Sequence, residues 1–276
     1  MTQPTETRPG ERNLLVSLRY CGREYHGFQV QQNAQTVAQV FQEALWKILG
    51  QKVDIKGCSR TDSGVHANCF AVSFRTQSRI PCEGLVKALN CALPWDIAAL
   101  GCREVPQDFH ARYSSRGKRY LYRIHNHPVK DPFRWGMVWE YRYAMDLEKL
   151  NRACRDFVGR HDFTAFCAAG SSVEDRVRTI YGCGLLRQRE DVVFWVEGDG
   201  FLYNMVRIMV GTLIDISAGS LPPGCIPDIL QSRDRSRAGQ TAPAAGLYLD
   251  QVFYDLEGWP SGPSADFAAT FGAAVL

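Results

Sequence analysis

The stretch TVAQVFQEALWKILG, Thr36 to Gly50, sets the pattern for the whole chain. Val37, Val40, Phe41, Ala44, Leu45, Ile48 and Leu49 recur at helical spacing, which makes one apolar stripe on an amphipathic helix. Thr36 with Gln39 fits a capping box, and Gly50 is a natural stop. Working outward, the period changes to two. Leu14, Val16, Leu18 and Tyr20 alternate over Asn13 to Tyr20, as on a half-buried strand. Downstream, Val53 to Lys56 reads as a short strand, and Asn68 to Thr76 as a longer one with Phe70, Val72 and Phe74 on one face. Pro81 to Leu93 is a second helix with Leu85, Leu89, Ala92 and Leu93 inward, and Ile97 to Val105 another strand.

The second half repeats this order. Lys118 to His125 and Gly136 to Tyr143 read as strands. Asp146 to Val158 reads as a helix with Asp146 at its N-cap and Gly159 after it. Arg176 to Arg187 and Val192 to Glu197 are paired strands, Phe201 to Ser217 is the most apolar helix, and Leu247 to Tyr254 is a last strand. Strand, helix, strands, helix, strand, twice over, predicts an α+β protein of two units, each a sheet with helices on one face. At about 150 residues per domain, 276 residues make a little under two. The expected divisions are a loose polar arm at 1–12, an N-terminal domain at 13–108, a C-terminal domain at 109–257 and a Gly-, Pro- and Ala-rich extension at 258–276. The junction falls near 106–116.

Composition narrows the function. Hydrophobic residues make up 45% and charged residues 22%, as in a globular protein. The formal net charge of +3 excludes a histone-like polycation. It leaves nucleic-acid binding open, because what matters is where the charge sits. The ten cysteines are scattered, with no pair at zinc-finger spacing, so no structural metal is expected from them. They read as reduced thiols of a cytoplasmic protein, most of them buried. No apolar run reaches the roughly 20 residues of a membrane span. The nearest, Phe201 to Ile214, contains Arg207.

Three segments carry chemistry. Gly57 to Ala67, GCSRTDSGVHA, is a loop between two predicted strands. Its Asp, Ser and Gly suit an ordinary turn, but Arg60 and Asp62 stand two apart and His66 opens the next strand. Arg112 to Arg123 holds five basic residues, no acidic one and three tyrosines. It reads either as a solvated strand face or as a site where cations meet phosphates and rings stack on unpaired bases. On the predicted helix Phe201 to Ser217, Arg207 projects from a face shared with Asn204 and Gly211, away from the apolar stripe. It is either an arginine reaching water or a buried guanidinium that requires a carboxylate partner.

Taken together, these segments resemble the TruA family of tRNA pseudouridine synthases, over residues 13 to about 255. Tyr20 to Gln29 is similar to the family's opening strand and loop. Arg60 to Ala67 resembles its active-site signature, and Phe109 to Arg112 with Lys118 to Tyr122 its middle motif. Asn204 to Arg207 and Thr241 to Leu247 resemble its C-terminal ones. Cys21 and Ser63 depart from the usual Asp and Ala. The resemblance implies the pseudouridine synthase fold, two similar ferredoxin-like halves joined in one extended, largely antiparallel mixed sheet with a central cleft. It further implies a homodimer that binds the anticodon stem-loop of tRNA, with uridines 38 to 40 as substrate and no metal or organic cofactor.

The same resemblance implies the site. Asp62, in the N-terminal domain, is the catalytic carboxylate. Arg207, in the C-terminal domain, is the cation that keeps it ionised. Tyr120 lies against the flipped base; its hydroxyl, with an ordinary pKa of about 10, is a poor base unaided. Arg60 supports flipping, Thr61 and His66 bind substrate beside the carboxylate, and Arg112, Arg116, Lys118 and Arg119 hold phosphates. Carboxylates are competent nucleophiles at glycosyl centres, and a stacked base must first be extruded. Two rivals stand against this. A non-catalytic RNA-binding protein or tRNA chaperone would leave Asp62 and Arg207 without a role. A methyltransferase would need a nucleotide-cofactor loop, and no Gly-x-Gly-x-x-Gly follows a strand.

Overall fold

The computed structural model describes residues 10–260 and 262. The chain divides between Ser115 and Arg116 into two compact units. The arm expected at 1–12 and the extension expected at 258–276 lie mostly outside the described residues.

The first unit runs β1 (Arg12–Tyr20), α1 (Val37–Leu49), β2 (Lys56–Gly57), β3 (His66–Thr76), α2 (Cys82–Ala92) and β4 (Ile97–Val105). Its strands lie in the order β4–β1–β3, both pairings antiparallel, and β2 adds a short rung to β3. The register sets Leu14 opposite Phe74, Val16 opposite Val72 and Leu18 opposite Phe70. From the helices, Val37, Phe41, Ala44, Leu45, Leu85 and Leu89 are buried, with Phe41 edge-on to Phe74 at 6.5 Å. Thr36 caps α1 by accepting from the Gln39 N–H at 3.3 Å, and Gly50 ends it in the left-handed region. Only half of the expected capping box forms, because the Gln39 side chain turns to Glu43 instead.

β1 is more deeply placed than a half-buried strand. Asn13, Leu15 and Ser17 are buried as well as Leu14, Val16 and Leu18. The polar members stay satisfied: Asn13 Nδ2 donates to Pro106 O and Phe109 O, both at 2.9 Å, and Ser17 Oγ to Gly101 O.

The second unit contains β5 (Ser115–His125), β6 (Trp139–Glu140), α3 (Leu147–Cys154), β7 (Gly159–Asp162), β8 (Val177–Gln188), β9 (Asp191–Gly198), α4 (Met205–Ala218), α5 (Ile226–Ser232) and β10 (Leu247–Tyr254). Its strand order is β10–β5–β9–β8–β7, with β6 parallel to the end of β5. The β5–β9, β8–β9 and β7–β8 pairings are antiparallel.

Several boundaries differ from the sequence expectation, each for a local reason. The strand expected over Gly136 to Tyr143 shrinks to two residues. Gly136 takes φ 76°, and the carbonyls of Tyr141 and Tyr143 accept from Asn126 Nδ2 rather than from a neighbouring strand. The helix expected from Phe201 starts only at Met205, because Asn204 sits in the left-handed region at φ 59°. The helix from Asp146, capped as expected by its side chain on the Lys149 N–H, gives way at Arg155 to a 3-10 turn. β7 carries no large apolar residue, and α5 is only seven residues long, too short for Ile226, Ile229 and Leu230 to set a clear period. Among the described residues, no helix is long and apolar enough to cross a membrane.

Candidate active site

In the first unit, the segment Cys58–His66 is held in place before any side chain of interest is considered. The Cys58 N–H donates to Ala71 O at 2.9 Å. The Phe28 N–H donates to Thr61 O at 3.2 Å, and the Val65 N–H closes a turn on Asp62 O at 3.2 Å. Gly64 occupies the third place of that turn at φ 77°, a conformation glycine enters without steric cost. Asp62 is therefore half-buried on a backbone fixed on both sides of it.

The brace comes from residues 20–28. Tyr20 Oη and Thr61 Oγ1 share a buried hydrogen bond of 2.8 Å. The Gly22 N–H donates to Nδ1 of His66 at 3.1 Å; in the neutral ring this puts the proton on Nε2. His66, at 1% exposure, is thus locked in orientation. The two loops approach so closely that glycine is required. A Cβ on Gly22 would overlap the Val65 carbonyl, and one on Gly27 would overlap Thr61 O, with Gly27 already at φ 82°. Phe28 stacks on Phe70 at 4.2 Å and carries this brace into the core. Arg60 points outward and is exposed.

The turn after β4 also belongs to this unit. The Ala111 N–H donates to Ser73 Oγ at 3.0 Å, which docks the turn on β3. Burial, reinforced by Lys56, holds the His110 ring below its ordinary pKa, so it is neutral near pH 7. Its Nδ1 accepts from the Arg112 N–H at 3.0 Å. This leaves Arg112 and Tyr113 exposed side by side, the guanidinium 6.0 Å from the ring centre.

In the second unit, Tyr120 lies in β5, buried, with its ring edge-on to Phe201 at 5.0 Å. Arg207 lies in the first turn of α4 and is clamped. Its Nε donates to Ala242 O at 2.7 Å, its Nη1 to Asn204 Oδ1 at 2.8 Å, and its own carbonyl accepts from the Ala242 N–H at 3.1 Å. Asn204 therefore has two tasks: its left-handed backbone starts the helix, and its amide oxygen orients the guanidinium. Gly211 lets the 239–243 segment lie against α4, since a Cβ there would be 2.7 Å from the Gln240 carbonyl carbon. Tyr122 donates to Pro243 O at 2.7 Å. Burial pushes its hydroxyl well above the ordinary range, with the Arg207 charge pulling the other way. Tyr120 with Phe201, and Arg207 with Tyr122, Asn204 and Ala242, are thus built from the same few elements.

The basic residues of the middle segment separate into two kinds. Arg116 is exposed, with a surface pair to Asp255 at 3.3 Å, and Lys118 is half-buried. Arg119, expected among the phosphate contacts, is instead an internal ion pair. It binds Glu197 at 2.9 Å and Asp250 at 2.8 Å while only 14% exposed. Strand alternation explains the split, because neighbours on β5 face opposite ways. The supporting roles of Tyr20, Gly22, Gly27, Asn204 and Phe201 leave no mark in the periodicity of the chain. The glycine spacing in Cys21-Gly22-Arg23-Glu24-Tyr25-His26-Gly27 was the one available signal.

Comparison with known proteins adds a family. A tRNA pseudouridine synthase family model matches residues 17–114 and 153–255. A protein named tRNA pseudouridine synthase A from Acetivibrio thermocellus is 46% identical over 88% of this chain and all of its own length. One of the same name from Clostridium acetobutylicum is 41% identical over the same shares. Among solved structures, a Cbf5–Nop10–Gar1 complex covers 89% of this chain and 60% of that one at 14% identity, with a TM-score of 0.36.

Proposed function

This chain belongs to the tRNA pseudouridine synthase family, and from that premise we propose that it isomerises uridine to pseudouridine in the anticodon stem-loop of tRNA, at positions 38 to 40, with Asp62 as the catalytic carboxylate. The observation that carries this reading is the fixed loop around Asp62, which lies within the matched segment. A carboxylate that attacks once per turnover needs a stationary backbone, since a misplacement of about 1 Å can cost on the order of 100-fold.

The reaction conserves atoms. The bond from uracil N1 to ribose C1′ breaks, the uracil rotates, and C5 bonds to C1′. The C5 proton is lost and N1 gains one. Attack at either uracil C6 or ribose C1′ needs Asp62 ionised. Arg207, oriented by Asn204 and Ala242, is the cation proposed to favour that ionised form. Tyr120, held against Phe201, is the ring proposed to lie on the extruded base. Thr61 and His66 act through position, by the bonds that tie them to Tyr20 and Gly22. Arg60, Arg112, Arg116 and Lys118 are the proposed RNA contacts, with Tyr113 beside Arg112 as a stacking surface. The enzyme is proposed to act as a cytoplasmic homodimer.

The test is incubation of the pure protein with an unmodified tRNA transcript, without added cofactor. Pseudouridine is then mapped by carbodiimide labelling and primer extension. Stops at positions 38 to 40 support the reading. RNA binding or refolding without pseudouridine would favour the chaperone instead.

A further inference from the structure

β5 ends at His125, and His127 follows two residues later. The β8–β9 turn lies beside this end. His125 faces Asp191 across the β5–β9 ladder, and the Asn126 N–H donates to Glu190 O at 2.7 Å. The turn holds just Arg189 and Glu190, with Arg189 at φ 54°. His125, His127 and Glu190 are thereby set together, one donor atom of each within 4.8 Å of the others. Nε2 of His125 is 4.0 Å from one Glu190 oxygen, and Nε2 of His127 is 3.9 Å from the other. Donors around a tetrahedral zinc ion, at bonds of about 2.0–2.2 Å, stand roughly 3.3–3.6 Å apart. The Glu190 side chain is 60% exposed and has the freedom to close that gap.

The surroundings suit a cation. A metal-bound histidine usually gives its other ring N–H to a carboxylate or a backbone carbonyl. His125 Nδ1 lies 3.2 Å from Asp191, which accepts and cannot donate, and Arg134 fixes Asp191 through both oxygens. His127 Nδ1 lies 3.0 Å from Val129 O and 3.1 Å from Val129 N. Metal on Nε2 selects the tautomer that donates to the carbonyl. His125, only 2% exposed, aims Nε2 at Val129 O, 3.2 Å away. Arg134 Nη1 also lies 3.3 Å from Nδ1, so a neutral ring can donate from Nε2 to Val129 O while Nδ1 accepts from Arg134. A cation on Nε2 selects the other tautomer, in which Nδ1 donates to Asp191.

We infer that His125, His127 and Glu190 form a binding site for a zinc-class divalent cation that fastens the end of β5 to the β8–β9 turn. Two imidazoles and a carboxylate match this metal class. The cysteine spacing that argued against zinc does not bear on these donors. The site is five residues along β5 from Tyr120, about 17 Å at a strand's rise, so it stands apart from the proposed chemistry.

The test uses the full-length protein, stripped with EDTA and desalted. Calorimetric titration with Zn2+ should show one equivalent bound. The affinity should fall at least tenfold in His127→Ala and in Glu190→Gln. Zn2+ should raise the thermal midpoint of the parent protein and not that of His127→Ala. The Co2+ complex should lack a thiolate charge-transfer band. Cys91 is exposed and offers a competing ligand. Binding unchanged in both variants, or a thiolate band, would overturn the assignment. Failure of the parent protein to bind Zn2+ would do the same. Glu190→Gln alters an exposed side chain, so the test stands even if His127→Ala folds poorly.

Discussion

Gly22→Ala probes the brace behind Asp62. A Cβ at this position would stand 2.6 Å from the carbonyl carbon of Val65 and overlap its oxygen. Carbon atoms in contact prefer about 3.5–4.0 Å, so one loop must retreat by roughly 1 Å. The obstacle is backbone, which cannot swing aside like a side-chain tip. That retreat stretches the Gly22 N–H to His66 Nδ1 bond beyond hydrogen-bond range from its present 3.1 Å. An unsatisfied buried group costs about 1–3 kcal/mol, and overpacking about the same again. The variant should therefore lose roughly 2–6 kcal/mol in urea unfolding. Displacement of the loop by about 1 Å should lower single-turnover pseudouridine formation on the order of 100-fold, with tRNA affinity nearly retained. Gly50→Ala is the control. Gly50 differs from Gly22 in having a positive φ, 66°, and its Cβ would meet nothing within 4 Å. It should cost about 1–2 kcal/mol, the cost of left-handed backbone alone, and leave turnover unchanged. A Gly22→Ala protein with the stability and turnover of its parent would refute the brace.

The remaining predictions concern charge. Replacing Arg112 and Arg116 by Ala should reduce the slope of log affinity for tRNA against log salt by about 0.7–0.9 for each phosphate no longer neutralised; an unchanged slope would remove them from the interface. Arg119→Ala should act on stability instead, by about 3–5 kcal/mol, because it strips the cation from the buried Glu197 and from Asp250; a large salt-slope change with intact stability would reverse that assignment. Burial alone would raise the Asp162 carboxyl, but hydrogen bonds from the Thr164 hydroxyl and N–H, with the Arg233 and Arg176 charges, hold it below the ordinary range. A depressed folded pKa gives stability that is present above the unfolded value of about 3.9 and lost as pH falls through the folded one. Urea midpoints should therefore fall less steeply in acid for Asp162→Asn than for its parent, and equal slopes would contradict the assignment.

Much of the fold was legible because it rests on periodicity and caps. α1 and its Thr36 cap, β4 and β10 follow directly from spacing and from Thr, Gly and β-branched residues at the expected places. The strand over Gly136 to Tyr143 failed because apolar alternation does not show that Asn126 will occupy its carbonyls. The late start of α4 turned on one residue, Asn204, whose left-handed backbone no periodicity reports. At the site, the motif residues could be named while their supports could not. Two partners of Asp62's loop are Tyr20 and Gly22, some 40 residues away, and one partner of Arg207 is a backbone carbonyl at Ala242. Arg119 shows a further limit, since a basic stretch does not say which of its cations already have internal carboxylates.

The central claim is that Asp62 performs the isomerisation as a charged group. Its most direct test is Asp62→Asn, which keeps the shape and removes the charge. Pseudouridine formation on an unmodified tRNA transcript is measured under single-turnover conditions beside tRNA affinity. The account predicts a rate reduced by roughly 10⁴-fold or more, with affinity within a few-fold of the parent. Pseudouridine formed by the variant at a rate near the parent's would contradict it.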